Sequence, residues 1–328
     1  MTARVGLGIV GVGRMGAAHA RIIARSIPAA RLVALADVNL PAARRLADEL
    51  QVPRVYESTP ELAADPDIQA VLIAVSTSHH LDAVRAVASE RRDILCEKPL
   101  ALTLADTDAA IAAASAAGVR LQVGFMRRWD PEYQRMYVAL TSGACGRPLI
   151  FSSIQFDGGP PPLSYADPAV SGGIMIDMAI HDFDLARWLI SDEVVEVQAW
   201  GSTLAFPEFA TIDDVDSAVV NLRYAGGALG TVALARCNPG GDEVRTEVQG
   251  TDGSVHCGER ASSSEARPPL FESAYAAESE GFIRAIADDT PVRVDGRDAR
   301  AALVIALAAD RSRREGRPVK VGADEPSA

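Results

Sequence analysis

The chain is poor in cysteine. Its 328 residues include four, Cys96, Cys145, Cys237 and Cys257, and no two of them form a Cys-x-x-Cys pair. That usage excludes a disulfide-stapled framework and predicts buried thiols in a reducing compartment. Long apolar runs are also missing, and no window reaches the ~20 residues that cross a bilayer. The N-terminus passes straight into Arg4-Val5-Gly6-Leu7-Gly8-Ile9-Val10, without the basic stretch and apolar core of a secretion signal. A cytoplasmic protein with no membrane partner is expected. Basic clusters are the third absence. The formal net charge is -12 with Lys and Arg scattered, which leaves no face to bind a nucleic-acid backbone. A small anionic ligand, which needs one local positive site, is not excluded.

Apolar residues make up 48% of the chain, enough for a well-buried globular protein and at this length for two domains. Residues 5–10, 32–36, 70–75, 94–96 and 120–123 read as short non-alternating strands. Such runs suit strands covered on both faces, as in a parallel sheet. Alanine-rich stretches of helical length lie between them, at 15–25, 42–50, 79–88 and 105–117, the last followed by Gly118 as a C-terminal cap. This βαβ alternation predicts an α/β Rossmann fold, a doubly wound parallel sheet, over residues 1–124.

Beyond Gly124 the pattern changes. Longer, alternating strands are expected at 149–157, 194–201, 217–224, 228–236 and 245–250, with a hairpin turn at Tyr224-Ala225-Gly226-Gly227-Ala228. Residues 125–328 therefore predict an α+β domain with a large, mostly antiparallel, open-faced sheet. A rigid loop, Gly158-Gly159-Pro160-Pro161-Pro162, helices near 274–287 and 298–314, and frayed residues 323–328 complete the expectation.

Gly11-Val12-Gly13-Arg14-Met15-Gly16 follows the first strand and opens the first helix. In that setting Gly11 permits the tight turn, Gly13 lets the backbone approach a pyrophosphate, and Gly16 lets the helix pack closely. The loop amides and the positive end of the helix dipole then meet the phosphates. Asp37 ends the second strand 21 residues after Gly16. An acid at that interval accepts both ribose hydroxyls and repels a 2′-phosphate. Val38 and Asn39 supply no arginine, so NAD is favoured over NADP. Ser76-Thr77-Ser78-His79-His80 follows the 70–75 strand, at the carboxyl edge where ligands sit. It also reads as an ordinary loop with Ser78 as helix cap.

Glu97-Lys98-Pro99 stands at another strand end, where a lysine can hold positive charge beside a developing alkoxide. Ser171-Gly172-Gly173-Ile174-Met175-Ile176-Asp177-Met178-Ala179-Ile180-His181-Asp182 sets a carboxylate four residues before an imidazole. On a continuous helix the two share one face. Histidine titrates near neutrality and suits proton exchange with an alcohol, with Asp177 to orient the ring or hold a second hydroxyl. Zinc is a rival, because Asp177, His181, Asp182 and Asp184 are crowded. No further histidine or cysteine lies nearby, and no metal is expected.

These motifs, in this order, resemble the Gfo/Idh/MocA family of oxidoreductases over nearly the whole chain. Ile9 to Gly16 matches its cofactor loop, Cys96-Glu97-Lys98-Pro99 its signature corner, and Gly172 to His181 its catalytic segment. Gly124-Phe125-Met126-Arg127-Arg128-Trp129-Asp130, His181-Asp182-Phe183-Asp184 and Val294 to Leu303 are similar to the inositol 2-dehydrogenase group. The resemblance implies an open-faced sheet that packs into dimers and tetramers, and a small polyol or sugar substrate. It implies that Lys98 contacts the reacting hydroxyl, that His181 is the general base and that Asp177 supports it. Cofactor contacts carry over to Gly11, Gly13, Arg14, Met15, Gly16, Asp37, Ser76, Thr77, His80, Glu97 and Lys98. Substrate contacts carry over to Lys98, Arg127, Asp157, Asp177, His181 and Tyr275. Glu90-Arg91-Arg92-Asp93, the segment at Ser76 and the 157–162 loop depart from the family pattern, which leaves the substrate open.

The expectation is therefore an NAD-dependent dehydrogenase acting on a secondary alcohol of a cyclic polyol or sugar. Two alternatives stay open. One is a glycosidase that oxidises and re-reduces its substrate on tightly held NAD. The other is a non-catalytic NAD-binding sensor.

Overall fold

The computed structural model describes residues 4–258 and 271–322. Residues 323–328, expected to fray, lie outside them. The contacts divide the chain into two units, Met1–Trp129 with Phe271–Arg300, and Asp130–Leu270 with Ala301–Ala328. A single cut between 124 and 125 assigns residues 271–300 to the second unit, whereas their contacts join them to the first.

The first unit holds β1 (Val5–Val10), β2 (Ala30–Ala36), β3 (Arg54–Tyr56), β4 (Ala70–Ile73), β5 (Asp93–Glu97) and β6 (Leu121–Gly124). They form one sheet in the order β3-β2-β1-β4-β5-β6, with every pair parallel. β1, β4 and β6 are buried along their whole length, which explains why their sequences run apolar without alternation. The order reverses between β1 and β4, so the crevice beyond their carboxyl ends is the ligand position of a doubly wound sheet. Helix caps appear where short polar residues and glycine stand. Thr103 Oγ1 accepts from Asp106 N–H, and Gly118 closes the same helix at φ 67°. β3 escaped the sequence reading because three residues carry too little pattern to register.

Helix Glu272–Ala287 joins this unit because Phe282 and Ile283 enter the same apolar cluster as Ile23, Ile27 and Leu35. Burying Phe282 contributes roughly 2–3 kcal/mol.

The second unit is built on β7 (Pro148–Phe156), β8 (Val194–Ser202), β9 (Ser217–Tyr224), β10 (Leu229–Ala235), β11 (Glu243–Gly250), β12 (Ser254–Cys257) and β13 (Val319–Lys320). Their order is β12-β11-β7-β10-β9-β8-β13. All pairs are antiparallel except β7 with β10, which run parallel. Burial alternates strictly along β9, with Ala218, Val220, Leu222 and Tyr224 turned inward. Val219 and Trp200 face each other on the opposite, exposed surface. The β9–β10 connection is the expected hairpin, in which Tyr224 N–H donates to Ala228 O and Gly227 takes a positive φ of 94°.

Candidate active site

The glycine loop of the first unit has the geometry a pyrophosphate needs. Gly11 sits at φ 85°, and a Cβ there would meet the Ala74 carbonyl. A Cβ on Gly16 would overlap the Gly11 carbonyl oxygen, whereas at Gly13 the space is open. Helix Arg14–Ser26 begins at this loop, with no acidic residue in its first turn. Asp37 closes the loop from β2: its Oδ2 accepts Val12 N–H at 2.7 Å and its Oδ1 accepts Asn39 N–H at 2.8 Å. Each oxygen keeps lone pairs for ribose hydroxyls. A groove of about 560 Å³ runs along Gly11, Gly13, Asp37, Val38, Ser76 and His79, within the range of small-molecule sites. The residues present fit a dinucleotide.

His79 lines that groove and shares a hydrogen bond with Ser76 Oγ at 2.8 Å. Its neighbour His80, expected to touch the cofactor, turns into the protein. It is buried, with Nδ1 2.8 Å from Pro99 O and Nε2 3.1 Å from Val75 O. Both carbonyls only accept, so the neutral ring donates to one of them at a time, and burial holds its pKa below the ordinary histidine value.

The Lys98-Pro99 peptide is cis. Lys98 itself is half-buried. Glu97 is buried; its Oε1 lies 2.6 Å from His19 Nε2 and its Oε2 accepts Lys98 N–H at 3.2 Å. Tyr275 packs edge-on against the His19 ring at 5.2 Å between centroids. Burial and the nearby Glu97 carboxylate push its phenol far up. Arg127 is buried with its guanidinium over the Phe271 ring.

In the second unit the Asp/His segment departs from one continuous helix. Asp177 ends a short helix, Gly173–Asp177, and His181 opens the next, Ile180–Ile190. The carbonyl of Ile174 accepts from both Met178 N–H and Ala179 N–H, which widens the turn between them. The Asp177 carboxylate is gripped from two sides. Tyr165 Oη donates to its Oδ1 at 3.1 Å, and Arg236 Nη1 lies 3.5 Å from its Oδ2. Arg236 is 0% exposed, reaches Asp214 at 3.4 Å through Nη2, and stacks on Phe209. Asp214 in turn accepts Ile174 N–H at 3.1 Å, tying the cation to the start of the Asp177 helix. Burial raises the pKa of Asp214; burial and Asp242 raise that of Asp157.

Asp182, one of the crowded acids, is instead a structural anchor, accepting Ser153 Oγ at 2.6 Å. Among the described residues no three His, Cys, Asp or Glu side chains gather around a cation site. No helix among them is long and apolar enough to cross a membrane. The pattern reading missed Arg236, Tyr165, His19 and Glu278. Arg236 did carry a signal: it continues the inward face of Val232 and Leu234 at the two-residue period of β10.

A parallel Rossmann sheet with a glycine-loop dinucleotide groove, joined in one chain to a unit with a mostly antiparallel sheet and two helices that carry an acid and a buried imidazole, defines a two-domain oxidoreductase. Residues 5–125 match the family described as "Oxidoreductase family, NAD-binding Rossmann fold". Residues 133–256 match the "GFO/IDH/MocA C-terminal domain". The chain belongs to the Gfo/Idh/MocA oxidoreductase family. It is 37% identical to the myo-inositol 2-dehydrogenase of Thermotoga maritima, over 96% of this chain and 98% of that one. It is 34% identical to the scyllo-inositol 2-dehydrogenase (NAD(+)) of Bacillus subtilis, over 98% and 97%. The crystal structure of scyllo-inositol dehydrogenase from Lactobacillus casei, with bound cofactor NAD(H) and scyllo-inositol, superposes with a TM-score of 0.90. It is 26% identical and covers 98% of this chain and 100% of that one.

Proposed function

We propose that the protein oxidises a secondary alcohol of a cyclic polyol or sugar with NAD, inositols being the first substrates to try. The observation that carries this reading is Asp177, fixed on a fully buried arginine four residues before the buried His181. The names of the inositol dehydrogenases above support the substrate class.

The amides of Gly11 to Gly16 would hold the pyrophosphate and Asp37 the ribose hydroxyls. Bound NAD supplies the acceptor for the hydride that leaves the alcohol carbon. His181 takes the hydroxyl proton, so the products are a ketone, reduced cofactor and a protonated imidazole that returns its proton to solvent. The Lys98 ammonium stabilises charge developing on the oxygen, and Asp177 accepts from a neighbouring hydroxyl. Asp37 disfavours the 2′-phosphate of NADP. Arg127, Asp157 and Tyr275 belong to this reading as substrate contacts. So does assembly into dimers or tetramers through the exposed sheet face bearing Trp200, Val219, Leu229 and Ile150.

The test is absorbance of reduced cofactor with NAD or NADP and a panel of inositols and aldoses. NADH formed from an inositol supports the reading. Formation from another sugar alone moves the substrate and keeps the chemistry. Silence across the panel with NAD bound removes the dehydrogenase assignment.

A further inference from the structure

Glu97 has little to offer a cofactor. It is 9% exposed, and both of its oxygens are engaged by the chain itself. Oε1 meets His19 Nε2 at 2.6 Å, within the distance of a charge-assisted hydrogen bond. Oε2 accepts the backbone N–H of Lys98 at 3.2 Å. The opposing residue on β6 is Gly124, paired in register with Glu97, and a Cβ there would come within 3.1 Å of Oε2. A glycine at this place leaves the carboxylate its room. The His19 ring is held in turn by Tyr275 from helix Glu272–Ala287.

We propose that the His19–Glu97 pair positions Lys98, so that Glu97 acts on turnover and not on holding NAD. The proposal rests on the dehydrogenase reading, because it needs Lys98 to meet a reacting hydroxyl. Glu97 fixes the peptide from which the Lys98 side chain departs and places a negative charge beside its ammonium.

A second buried carboxylate sets the contrast. Glu278 is 0% exposed, and neither of its oxygens finds a hydrogen-bond partner among the described residues. Burial and the charge of Glu97 push its pKa well up, whereas His19 and Lys98 pull Glu97 down against its own burial. The titratable and charged groups facing this pair are His19, Lys98, and, around Tyr275, Arg14 and Arg127. Glu97 holds two hydrogen-bond partners through its oxygens, and Glu278 has none among the described residues. An isosteric amide therefore changes much at position 97 and little at 278.

The experiment compares Glu97→Gln, His19→Gln and Glu278→Gln with the parent enzyme. NAD dissociation constants come from fluorescence titration, and kcat and KM from the polyol identified above. For Glu97→Gln we expect kcat to fall about tenfold to a hundredfold, the scale of a misplaced catalytic group. NAD affinity should stay within about twofold. His19→Gln should lower kcat in the same direction, while Glu278→Gln keeps both constants near those of the parent. The chain contains two lysines, Lys98 and Lys320. Reductive methylation with a carbon-13 label therefore gives a Lys98 NMR signal assignable by Lys320→Arg. That signal should move in Glu97→Gln and hold still in Glu278→Gln. An NAD affinity lost tenfold with kcat retained overturns the proposal and makes Glu97 a cofactor ligand. Equal loss in Glu97→Gln and Glu278→Gln overturns it in favour of a merely structural patch. If no polyol is turned over, the dehydrogenase reading fails, and an unmoved Lys98 signal sinks the positioning claim separately.

Discussion

Arg236 Nη1 lies 3.5 Å from Asp177 Oδ2, and the arginine has no solvent contact. A buried cation of this kind is expensive to remove alone, because its carboxylates stay behind without compensation. Arg236→Met should therefore destabilise the protein by about 3–5 kcal/mol, read from urea unfolding. Arg236→Lys, which keeps the charge and loses the fork, should cost less stability but still lower turnover. Equal stability of the methionine variant and the parent would remove the role assigned to this ion pair.

Glu278 makes stability depend on pH in an unusual direction. Its folded-state pKa is raised, so the folded form holds a proton that the unfolded chain releases above about 4.3. Its contribution is complete below that value and is lost as pH rises toward the folded-state pKa. Glu278→Gln, which never ionises, should be more stable than the parent at pH 8 and differ little at pH 4. Melting temperatures at the two pH values check this.

Asp37 should govern the choice of cofactor. Replacing it by serine removes a charged acceptor for the ribose hydroxyls, and a hydrogen bond to a charged group is worth ~1.5–3 kcal/mol. NAD affinity should drop by about one to two orders of magnitude while NADP affinity rises. Calorimetric titration with each cofactor decides the point.

His181→Asn keeps a polar side chain of similar size and removes the base. Turnover should fall by about 10²–10⁴-fold with NAD binding unchanged. A variant that retains its rate leaves the hydroxyl proton to some other group.

Trp200 and Val219 face each other on the exposed side of the second sheet. Trp200→Glu puts a charge in that apolar row. If this face joins copies of the chain, light scattering should report a smaller species than the parent forms. An unchanged mass would place the assembly contact elsewhere.

The glycine loop, the Lys98 corner and the acid/imidazole pair were legible because each depends on residues close in sequence. What escaped was set by distance or by detail below the periodicity. Arg236 meets Asp177 across 59 residues of chain, and no local pattern announces the pairing. The widened turn at Ile174 arises from one carbonyl serving two amides, which leaves the sequence spacing untouched. His79 and His80 are adjacent, and only burial separates a groove residue from a structural one. Glu278 stands four residues from both Ala274 and Phe282, on the buried stripe of its helix, so its unusual place was readable from that spacing.

The first unit is discontinuous: residues 271–300 return to residues 1–129 after β7 to β12 of the second sheet have been laid down, with β13 still to follow. Its partners are thus written far apart in the gene. His19 and Tyr275, which touch ring to ring, are separated by most of the coding length. A recombinant made with a relative at one junction inherits these two rings from different parents. Only an exchange with crossovers near 129, 270 and 300 transmits the unit whole. Over evolutionary time, the Lys98 corner and the helix behind it are therefore bound to co-adapt by point substitution more readily than by shuffling.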